Sequence, residues 1–177
     1  MQRVMITGGP GSGKSTLARH MGAMTALPVY HMDHIHWMPG WVERAKDDKI
    51  AMVREIVAFD DWIFEGNFST TFPERLARAG TFIWLDLPVH IRFLRVVWRT
   101  FRDRGKTRPD MAPDCPEGFH HETLAFWRYI FRTRRSARAK LAALAATATH
   151  QQVIHLKSPS QVRAFLASLP MTEETSR

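Results

Sequence analysis

A glycine-rich stretch near the amino end carries the clearest chemistry in this sequence. It reads Gly8-Gly9-Pro10-Gly11-Ser12-Gly13-Lys14-Ser15 and matches the pattern G-x-x-x-x-G-K-[S/T] in full. Glycines let consecutive backbone N–H groups turn inward around a phosphate, because they accept positive φ and close approach. Lys14 can then reach the β- and γ-phosphates, and the Ser15 hydroxyl can ligate Mg²⁺. The stretch, called the P-loop below, predicts a nucleoside triphosphate site that extends to Thr16.

Acidic residues at predicted strand ends supply a second set of candidates. Asp33 and Glu65 follow the second and third predicted strands. In an open parallel sheet the carboxyl ends of the strands line the ligand crevice. Asp33 could orient an acceptor hydroxyl, accept its proton or hold a water on Mg²⁺, whereas a helix-cap role is the structural alternative. Glu65 is a candidate for the water shell of the metal ion.

Arginines downstream could neutralise a transferred phosphoryl group. Arg95, Arg99 and Arg102 share one helical face, and Arg104 and Arg108 lie in or beside a loop rich in proline. A guanidinium placed on the developing charge accelerates phosphoryl transfer by on the order of 10³ or more. We expect Arg104 and Arg108 to lie over the P-loop.

The positive charge is concentrated in one segment. Residues 92–140 contain 13 Lys and Arg against five Asp and Glu, while the whole 177-residue chain carries a net charge of +8. The excess indicates an anionic partner there, either the phosphates of a small molecule or a nucleic acid; a solvated helical face is the alternative.

The elements that must position these groups follow from the apolar pattern. Five short strands are predicted, at residues 3–7, 29–32, 62–64, 81–85 and 153–156. Helices are predicted at residues 14–24, 42–59, 73–79, 119–131, 136–147 and 160–169, together with one after Pro88. In that helix after Pro88 we expect a buried stripe of Ile91, Leu94, Val97, Trp98 and Phe101. Alternating strands and helices favour an α/β fold with a parallel sheet covered on both faces. We expect residues 106–118 to form a mobile loop and residues 171–177 a frayed tail.

Composition narrows the class of protein. A single cysteine, Cys115, rules out an internal disulfide framework and suits a reducing cytosol, and no window approaches an apolar membrane span. We therefore expect one cytoplasmic domain over residues 1–170. No Asn-Lys-x-Asp sequence is present, which disfavours a GTPase, and neither Glu65 nor Asp86 is followed by the second acid usual in motor ATPases. A small phosphotransferase fits best.

Several blocks of the sequence resemble the bacterial topology modulation proteins, which are P-loop proteins similar to adenylate kinase. The blocks are the opening Val4–Thr16, His31-Met32-Asp33 through Trp37-Met38-Pro39-Gly40-Trp41, Glu65-Gly66-Asn67, and Arg108-Pro109-Asp110-Met111-Ala112-Pro113 with Cys115-Pro116-Glu117. The resemblance implies a three-layer P-loop NTPase fold with five parallel strands in the order 2-3-1-4-5. It also implies a helical, arginine-rich lid over about residues 99–135 that contains Arg104 and Arg108. Finally, it places Lys157 and Ser158 beside the adenine base and Glu65 at the acid near the metal.

One departure from adenylate kinase concerns the acceptor. Where those enzymes read Asp-Gly-Phe-Pro-Arg, this chain has Glu65-Gly66-Asn67-Phe68-Ser69. The arginine that grips AMP is absent at that position, which disfavours AMP as the acceptor, and Arg75 is the candidate substitute.

Two hypotheses from different classes follow. The leading one is a Mg²⁺–ATP-dependent kinase of a small metabolite, such as a nucleoside or nucleotide, in which Asp33, Trp37, Asn67 and Arg75 hold the acceptor. The alternative is a DNA- or RNA-binding regulator that uses the nucleotide as a switch and affects DNA topology. Salt-dependent binding to duplex DNA would discriminate between them.

Overall fold

The computed structural model describes residues 1–119 and 122–169. The described strands are β1 (Arg3–Gly8), β2 (Val29–His31), β3 (Trp37–Met38), β4 (Val42–Glu43), β5 (Trp62–Glu65), β6 (Thr81–Leu85) and β7 (Gln152–Leu156). Five of them form one parallel sheet in the order β2-β5-β1-β6-β7, and β3 pairs with β4 in a separate antiparallel hairpin. Counted along the chain, the five strands of the large sheet stand in the order 2-3-1-4-5. The fold class and strand order implied by the resemblance are therefore confirmed.

The helices are α1 (Lys14–Thr25), α2 (Met32–His36), α3 (Lys46–Ala58), α4 (Phe72–Arg78), α5 (Val89–Arg102), α6 (Thr123–Ala146) and α7 (Pro159–Ala167), with a 3₁₀ turn at Ser69–Thr71. Two predicted boundaries are wrong. The helix predicted from residue 42 begins at Lys46, because Val42 and Glu43 pair with the β3 strand. The two helices predicted after residue 119 are one continuous helix, α6.

Apolar side chains alternate along the strands and fill a core on each face of the sheet. Val4, Ile6 and Ile63 pack with residues of α1 and α7, whereas Met5 and Phe64 pack with residues of α2, α3, α4 and α6. Both cores contain side chains without exposed surface. Because successive side chains point to opposite faces of a strand, a strand covered on both sides must be apolar throughout. The two cores fix the strand ends that carry the site.

Helix α5 buries only part of the stripe predicted for it: Ile91 packs on a core and Val97 is half-buried, but the other three residues are exposed. Leu94, Trp98 and Phe101 are 65%, 59% and 60% exposed, while Val96 is 1% exposed. Arg92 and Thr100 are also buried, so the inward face of α5 is partly polar. This face packs against the P-loop rather than against an apolar core, which explains why the apolar periodicity pointed to the wrong side.

The connection between α5 and α6, called the α5–α6 loop (residues 103–118), packs on the β3–β4 hairpin. Met111, Ala112 and Cys115 are buried against Trp37 and Trp41. Isolated bridges also join Arg104 to Glu117 and Thr107 to Pro116. Instead of the mobile loop that its proline content predicted, this segment is held by a small apolar cluster of its own. Irregular backbone can pack in this way without a periodic sequence pattern.

Two further predictions concern the C-terminal tail and the absence of a membrane-spanning helix. The tail predicted at residues 171–177 lies outside the described residues, and the domain boundary at residue 170 stays a prediction. Across residues 1–119 and 122–169, no helix combines the length and apolar character needed to cross a bilayer.

Candidate active site

The P-loop connects β1 to α1 with the backbone conformation that its glycines allow. Gly11 and Gly13 have φ of +74° and +93°, in the left-handed region. A Cβ at Gly11 would lie 2.2 Å from the Arg92 carbonyl oxygen, so no larger residue fits against α5. The loop ends where α1 begins at Lys14, so the first N–H groups of that helix face the same space. This arrangement is suited to binding phosphate.

Arginines of α5 hold the P-loop backbone from outside. The Arg92 Nη1 donates to the Pro10 carbonyl at 3.4 Å, and the Arg95 Nη1 donates to the Ser12 carbonyl at 3.3 Å. Arg92 also donates from Nε to the Leu87 carbonyl at 3.0 Å. The Pro10 and Ser12 carbonyls of the loop therefore point toward α5 and away from the space in front of Lys14.

Asn67 fixes the start of the P-loop from the neighbouring strand. Its Nδ2 donates to the Gly8 carbonyl at 2.7 Å, and its Oδ1 accepts from the Gly8 N–H at 3.3 Å. Both polar atoms of the amide thus meet backbone. Asn67, predicted as an acceptor contact, lines the cavity described next, but its observed bonds are those of a residue that positions the P-loop.

One large cavity, of about 1180 Å³, opens over the P-loop and the carboxyl ends of β1 and β5. It is lined by residues 9–17 on one side and by residues of α2, the β3–β4 hairpin, α5, the α5–α6 loop and α6 around them. Lys14, Asp33, Arg99 and Arg108 all face it. The structure thus brings the phosphate-binding loop, a carboxylate and two guanidinium groups to a single space.

Asp33 lies at this cavity, although not at a strand end as predicted. Strand β2 stops at His31, and Asp33 falls in the first turn of the short helix α2. Burial raises the pKa of Asp33, and the nearby Glu65 and Asp110 raise it further, against the lowering effect of Lys14 and Arg108. A carboxylate with a raised pKa accepts a proton more readily, which suits a group that must take one from an acceptor hydroxyl.

Glu65 is paired with a residue that the sequence reasoning missed. His31 and Glu65 are register partners on β2 and β5, and His31 Nδ1 lies 2.7 Å from Glu65 Oε1. Burial alone would raise the pKa of Glu65, but the bonds from His31 and Ser15 and the charge of Lys14 hold it below the ordinary value. Glu65 is therefore ionised at neutral pH. The sequence feature that could have identified His31 is its position at the end of β2, because that strand end lies beside the end of β5, where Glu65 is located.

The Ser15 hydroxyl has a setting that fits Mg²⁺. It interacts with the carboxyl groups of both Glu65 and Asp110 and lowers the pKa of each. Mg²⁺ prefers hard oxygen ligands and keeps several waters, so a hydroxyl flanked by two carboxylates can hold the ion and its water shell. Within residues 1–119 and 122–169, no group of three or more His, Cys, Asp or Glu could bind a metal by itself.

Of the two arginines chosen from the sequence, the structure brings one to the site. Arg108 lines the cavity and is ion-paired with Asp110 and, at 2.7 Å, with Glu117. Arg104 is exposed and does not line the cavity, and its backbone bridges to Glu117. Arg99 lines the cavity in the role expected for Arg104, and its Nε lies 3.1 Å from Glu117 Oε1.

Asp110 links the α5–α6 loop to the helix that follows the P-loop. It is 2% exposed, and its Oδ1 accepts from Arg19 Nη1 of α1 at 2.9 Å. Burial raises the pKa of Asp110, but Arg108, Ser15 and Arg19 outweigh that effect and lower it. The sequence offered Asp110 only as one residue of a block, because its partner Arg19 is distant along the chain.

Arg75 does not lie with the other candidates. It has no exposed surface, donates to the Phe64 and Gly66 carbonyls at 2.9 and 2.8 Å, and packs over the Phe64 ring. Burial lowers its pKa to about 9, so it stays charged at neutral pH. The expectation that Arg75 grips the acceptor is therefore corrected: it ties α4 to the end of β5.

The remaining candidates border the cavity to different degrees. Trp37 faces it and packs edge-to-face on Trp41, with ring centroids 5.3 Å apart. Lys157 and Ser158 cap α7, where the Lys157 N–H meets Gln161 and the Ser158 hydroxyl accepts from the Gln161 N–H. The cavity reaches the adjacent Pro159 but neither Lys157 nor Ser158. Their contact with an adenine base stays a prediction.

Solved structures of similar fold include several kinases. A shikimate kinase from Acinetobacter baumannii in complex with shikimate has a TM-score of 0.57 and 15% identity, covering 94% of this chain and 89% of the other. A shikimate kinase from Bacteroides thetaiotaomicron has a TM-score of 0.56 and 18% identity, covering 94% of each chain. A sugar kinase from Janibacter sp. HTCC2649 has a TM-score of 0.53 and 17% identity, covering 100% and 99%. At these identities the likeness establishes the fold. No protein-family model matches the sequence, and no curated protein matches it.

Proposed function

We propose that this protein is a Mg²⁺–ATP-dependent kinase that phosphorylates a hydroxyl group of a small metabolite. The observation that carries the proposal is that Lys14 and Asp33 face one cavity, with Arg99 and Arg108 also on its wall. A phosphate-binding loop, a proton-accepting carboxylate and cations for the transferred group are what phosphoryl transfer needs. The neighbours of similar fold, named as shikimate and sugar kinases, support the same class.

The reaction would use the site as follows. The P-loop N–H groups and Lys14 hold the triphosphate, and Asp33 orients the acceptor hydroxyl. The acceptor oxygen forms a bond to the γ-phosphorus while the bond from that phosphorus to the β–γ bridging oxygen breaks. The hydroxyl proton passes to Asp33, and ADP and a phosphate ester are the products. Arg99 and Arg108 would neutralise charge on the moving group once its oxygens replace Glu117 and Asp110 as partners.

Ser15 would be the direct protein ligand of Mg²⁺, and Glu65 and Asp110 would hold waters of its shell. When bound, the ion neutralises phosphate charge and orients the β- and γ-phosphate oxygens. His31 keeps Glu65 in place and ionised through the bond at its Nδ1. This assignment retains Glu65 as an acid near the metal and adds Asp110, which the sequence did not single out.

Kinship with the topology modulation proteins and a cytoplasmic location are finer parts of the proposal. The first rests on the residue blocks quoted above. The second rests on Cys115, which is buried and free, as expected of a thiol in a reducing compartment.

The test is ATP consumption with a panel of hydroxyl-bearing metabolites, for the wild type and for Lys14→Ala. Removal of Lys14 takes away the positive charge on the β- and γ-phosphates, so we expect turnover to fall on the order of 10² or more. Circular dichroism and calorimetric titration with an ATP analogue and Mg²⁺ check folding and binding. A folded, ATP-binding wild type whose turnover never exceeds that of Lys14→Ala would contradict the proposal.

A further inference from the structure

The end of the cavity around Asp33 has a chemical character of its own. We call it the acceptor chamber and define it by the lining residues Met32, Asp33, His36, Trp37, Trp41 and Met111. Two tryptophans and two methionines make up most of its wall. These six residues include one carboxylate, and Arg108 and Asp110 line the same cavity beside them. The chamber is the place where a hydroxyl would meet Asp33, so its walls must select the acceptor.

Cations around the chamber are already engaged. Arg108 is ion-paired with Asp110 and Glu117, Arg99 with Glu117, and Arg19 with Asp110. These guanidinium groups border the P-loop, where a triphosphate would claim them. They are therefore placed for the phosphates of ATP rather than for an anionic group on the acceptor.

Basic residues behind the chamber are also committed. Lys49 Nζ lies 2.6 Å from Glu43 Oε1, and Arg75 donates to two backbone carbonyls. Arg44 donates from Nε to the Ile35 carbonyl at 2.9 Å and faces an adjoining cavity of about 360 Å³, which shares Trp37 and Met111 with the chamber but does not include Asp33. Burial, together with the charge of Lys49, lowers the pKa of His36, so that ring is neutral near pH 7.

The α5–α6 loop contacts both tryptophans, and Trp41 has an unusual backbone conformation. Trp41 has φ of +62°, a conformation that a bulky residue seldom adopts. Its Nε1 donates to the Pro116 carbonyl and its N–H to the Cys115 sulfur, both at 3.3 Å, so the α5–α6 loop keeps it there. Trp37 packs against the same loop residues. A flat ring with an apolar face could stack on these indoles while one of its hydroxyls meets Asp33.

From these contacts we propose that the acceptor is an uncharged, polyhydroxylated ring compound, with Trp37 and Trp41 as specificity-determining residues. The inference rests on the proposed kinase function. A carboxylate or phosphate on the acceptor would meet Asp33 and Asp110, while Arg108 and Arg99 beside them are already ion-paired with Glu117 and Lys14 faces the triphosphate site. Neutral sugars or cyclitols and nucleosides share the required chemistry, and the experiment separates them.

The experiment uses matched pairs that differ in one charged group, each titrated into the protein saturated with a non-hydrolysable ATP analogue and Mg²⁺. One arm pairs neutral hexoses with their uronic acids, and the other pairs nucleosides with their 5′-monophosphates. We expect the uncharged member of the active pair to bind at least about tenfold more tightly and to drive ADP release when ATP is used. Equal or tighter binding of the charged members would overturn the inference, as would a panel in which no uncharged member binds.

Variants test the tryptophans directly. Trp37→Ala should raise the KM for the acceptor about tenfold, the scale of a lost stacking contact, and change kcat less. Trp41→Phe, which keeps an aromatic face, should retain most of the affinity that Trp41→Ala loses. The matched control is Phe59→Ala, because Phe59 is an exposed aromatic residue outside the cavity. Equal KM in Trp37→Ala, Trp41→Ala and the control would exclude this role, and melting curves verify that each variant folds.

A charge insertion separates this inference from the proposed function. Met111→Lys places an uncommitted cation in the chamber, and we expect it to weaken selection against the uronic acid or monophosphate. If the wild type phosphorylates charged acceptors better, the kinase function stands and the inference fails. If ATP binds but no acceptor of either kind promotes ADP release, the proposed function fails as well.

Discussion

Asp33 and Glu65 interact in the folded protein, and their different surroundings give the two carboxyl groups different roles. Asp33 is destabilised as an anion by burial and by Glu65, and its pKa rises. Glu65 meets a histidine, a lysine and a serine, and its pKa falls. The pair therefore divides into a group that can take a proton and a group that stays charged, which is the division a kinase site with a metal ion needs.

Replacing Asp33 by asparagine should remove activity and stabilise the fold. The raised pKa means that the folded protein holds the Asp33 proton more tightly than the unfolded chain does. This proton therefore contributes to the free energy of unfolding at low pH, and the contribution is lost as the pH rises above 3.8, the ordinary pKa of an aspartate, toward the pKa in the folded protein. The amide of the Asp33→Asn variant does not ionise, so we expect a higher melting temperature than wild type at pH 7. The difference should shrink toward pH values below 3.8, as thermal melts across that range would measure. A lower melting temperature for the variant at pH 7 would contradict the shift.

Arg75 belongs to the stability of the fold. Arg75→Leu leaves the Phe64 and Gly66 carbonyls without their donor, so we expect the free energy of unfolding to fall by about 3 kcal/mol. Arg78→Leu is the matched control, because Arg78 is on the same helix but exposed. Urea titration gives both values. Similar losses in the two variants would show that burial of Arg75 carries no special weight.

At the scale of elements, helix α5 serves the site more than the core. Its residues Arg92 and Arg95 donate to P-loop carbonyls, whereas Leu94 and Phe101 are exposed and Trp98 borders the cavity. Backbone carbonyls of a phosphate-binding loop need donors on the side away from the ligand, and a helix with inward guanidinium groups provides them. The usual relation between an apolar stripe and a core is therefore reversed.

A pair of substitutions in α5 tests this reversal. Val96→Ala should lower the free energy of unfolding by about 2 kcal/mol, because Val96 is buried against the P-loop. Leu94→Gln should change it by no more than about 0.5 kcal/mol, since Leu94 is exposed. Chemical denaturation of the purified variants measures both. The opposite ranking would mean that the outward stripe is covered in solution.

At the scale of the whole molecule, the basic segment has a structural explanation. Arg92, Arg95, Arg99, Arg102, Arg108, Arg134 and Arg138 all line the cavity over the P-loop. Much of the positive charge in residues 92–140 thus faces the place where a triphosphate would sit, which favours a small phosphate ligand over an extended nucleic acid.

The nucleic-acid alternative can be measured on the intact protein. We expect duplex DNA to bind only as it binds any basic protein, with an affinity of about 10⁻⁶ M or weaker at physiological salt. Because the cavity arginines would be occupied, saturating ATP analogue and Mg²⁺ should weaken this binding further. Fluorescence anisotropy over a salt series measures both effects. Tight binding that persists at physiological salt would revive the regulator hypothesis.

The sequence by itself indicated the P-loop and the five strands of the parallel sheet, and its resemblance to a known family implied the order of those strands. The P-loop and the strands depend on contiguous residues: a glycine pattern between a strand and a helix, and apolar runs typical of buried strands. A binding site can be predicted from the sequence when the groups that form it are neighbours along the chain.

Only the tertiary structure decided which distant groups meet. It paired His31 with Glu65 and Arg19 with Asp110, placed Arg99 rather than Arg104 at the cavity, and buried Arg75 in the core. Helical periodicity could not tell which side of α5 faces inward, because that choice depends on the P-loop packed against it. Contacts between residues far apart in sequence are set by packing, and packing leaves no local pattern to read.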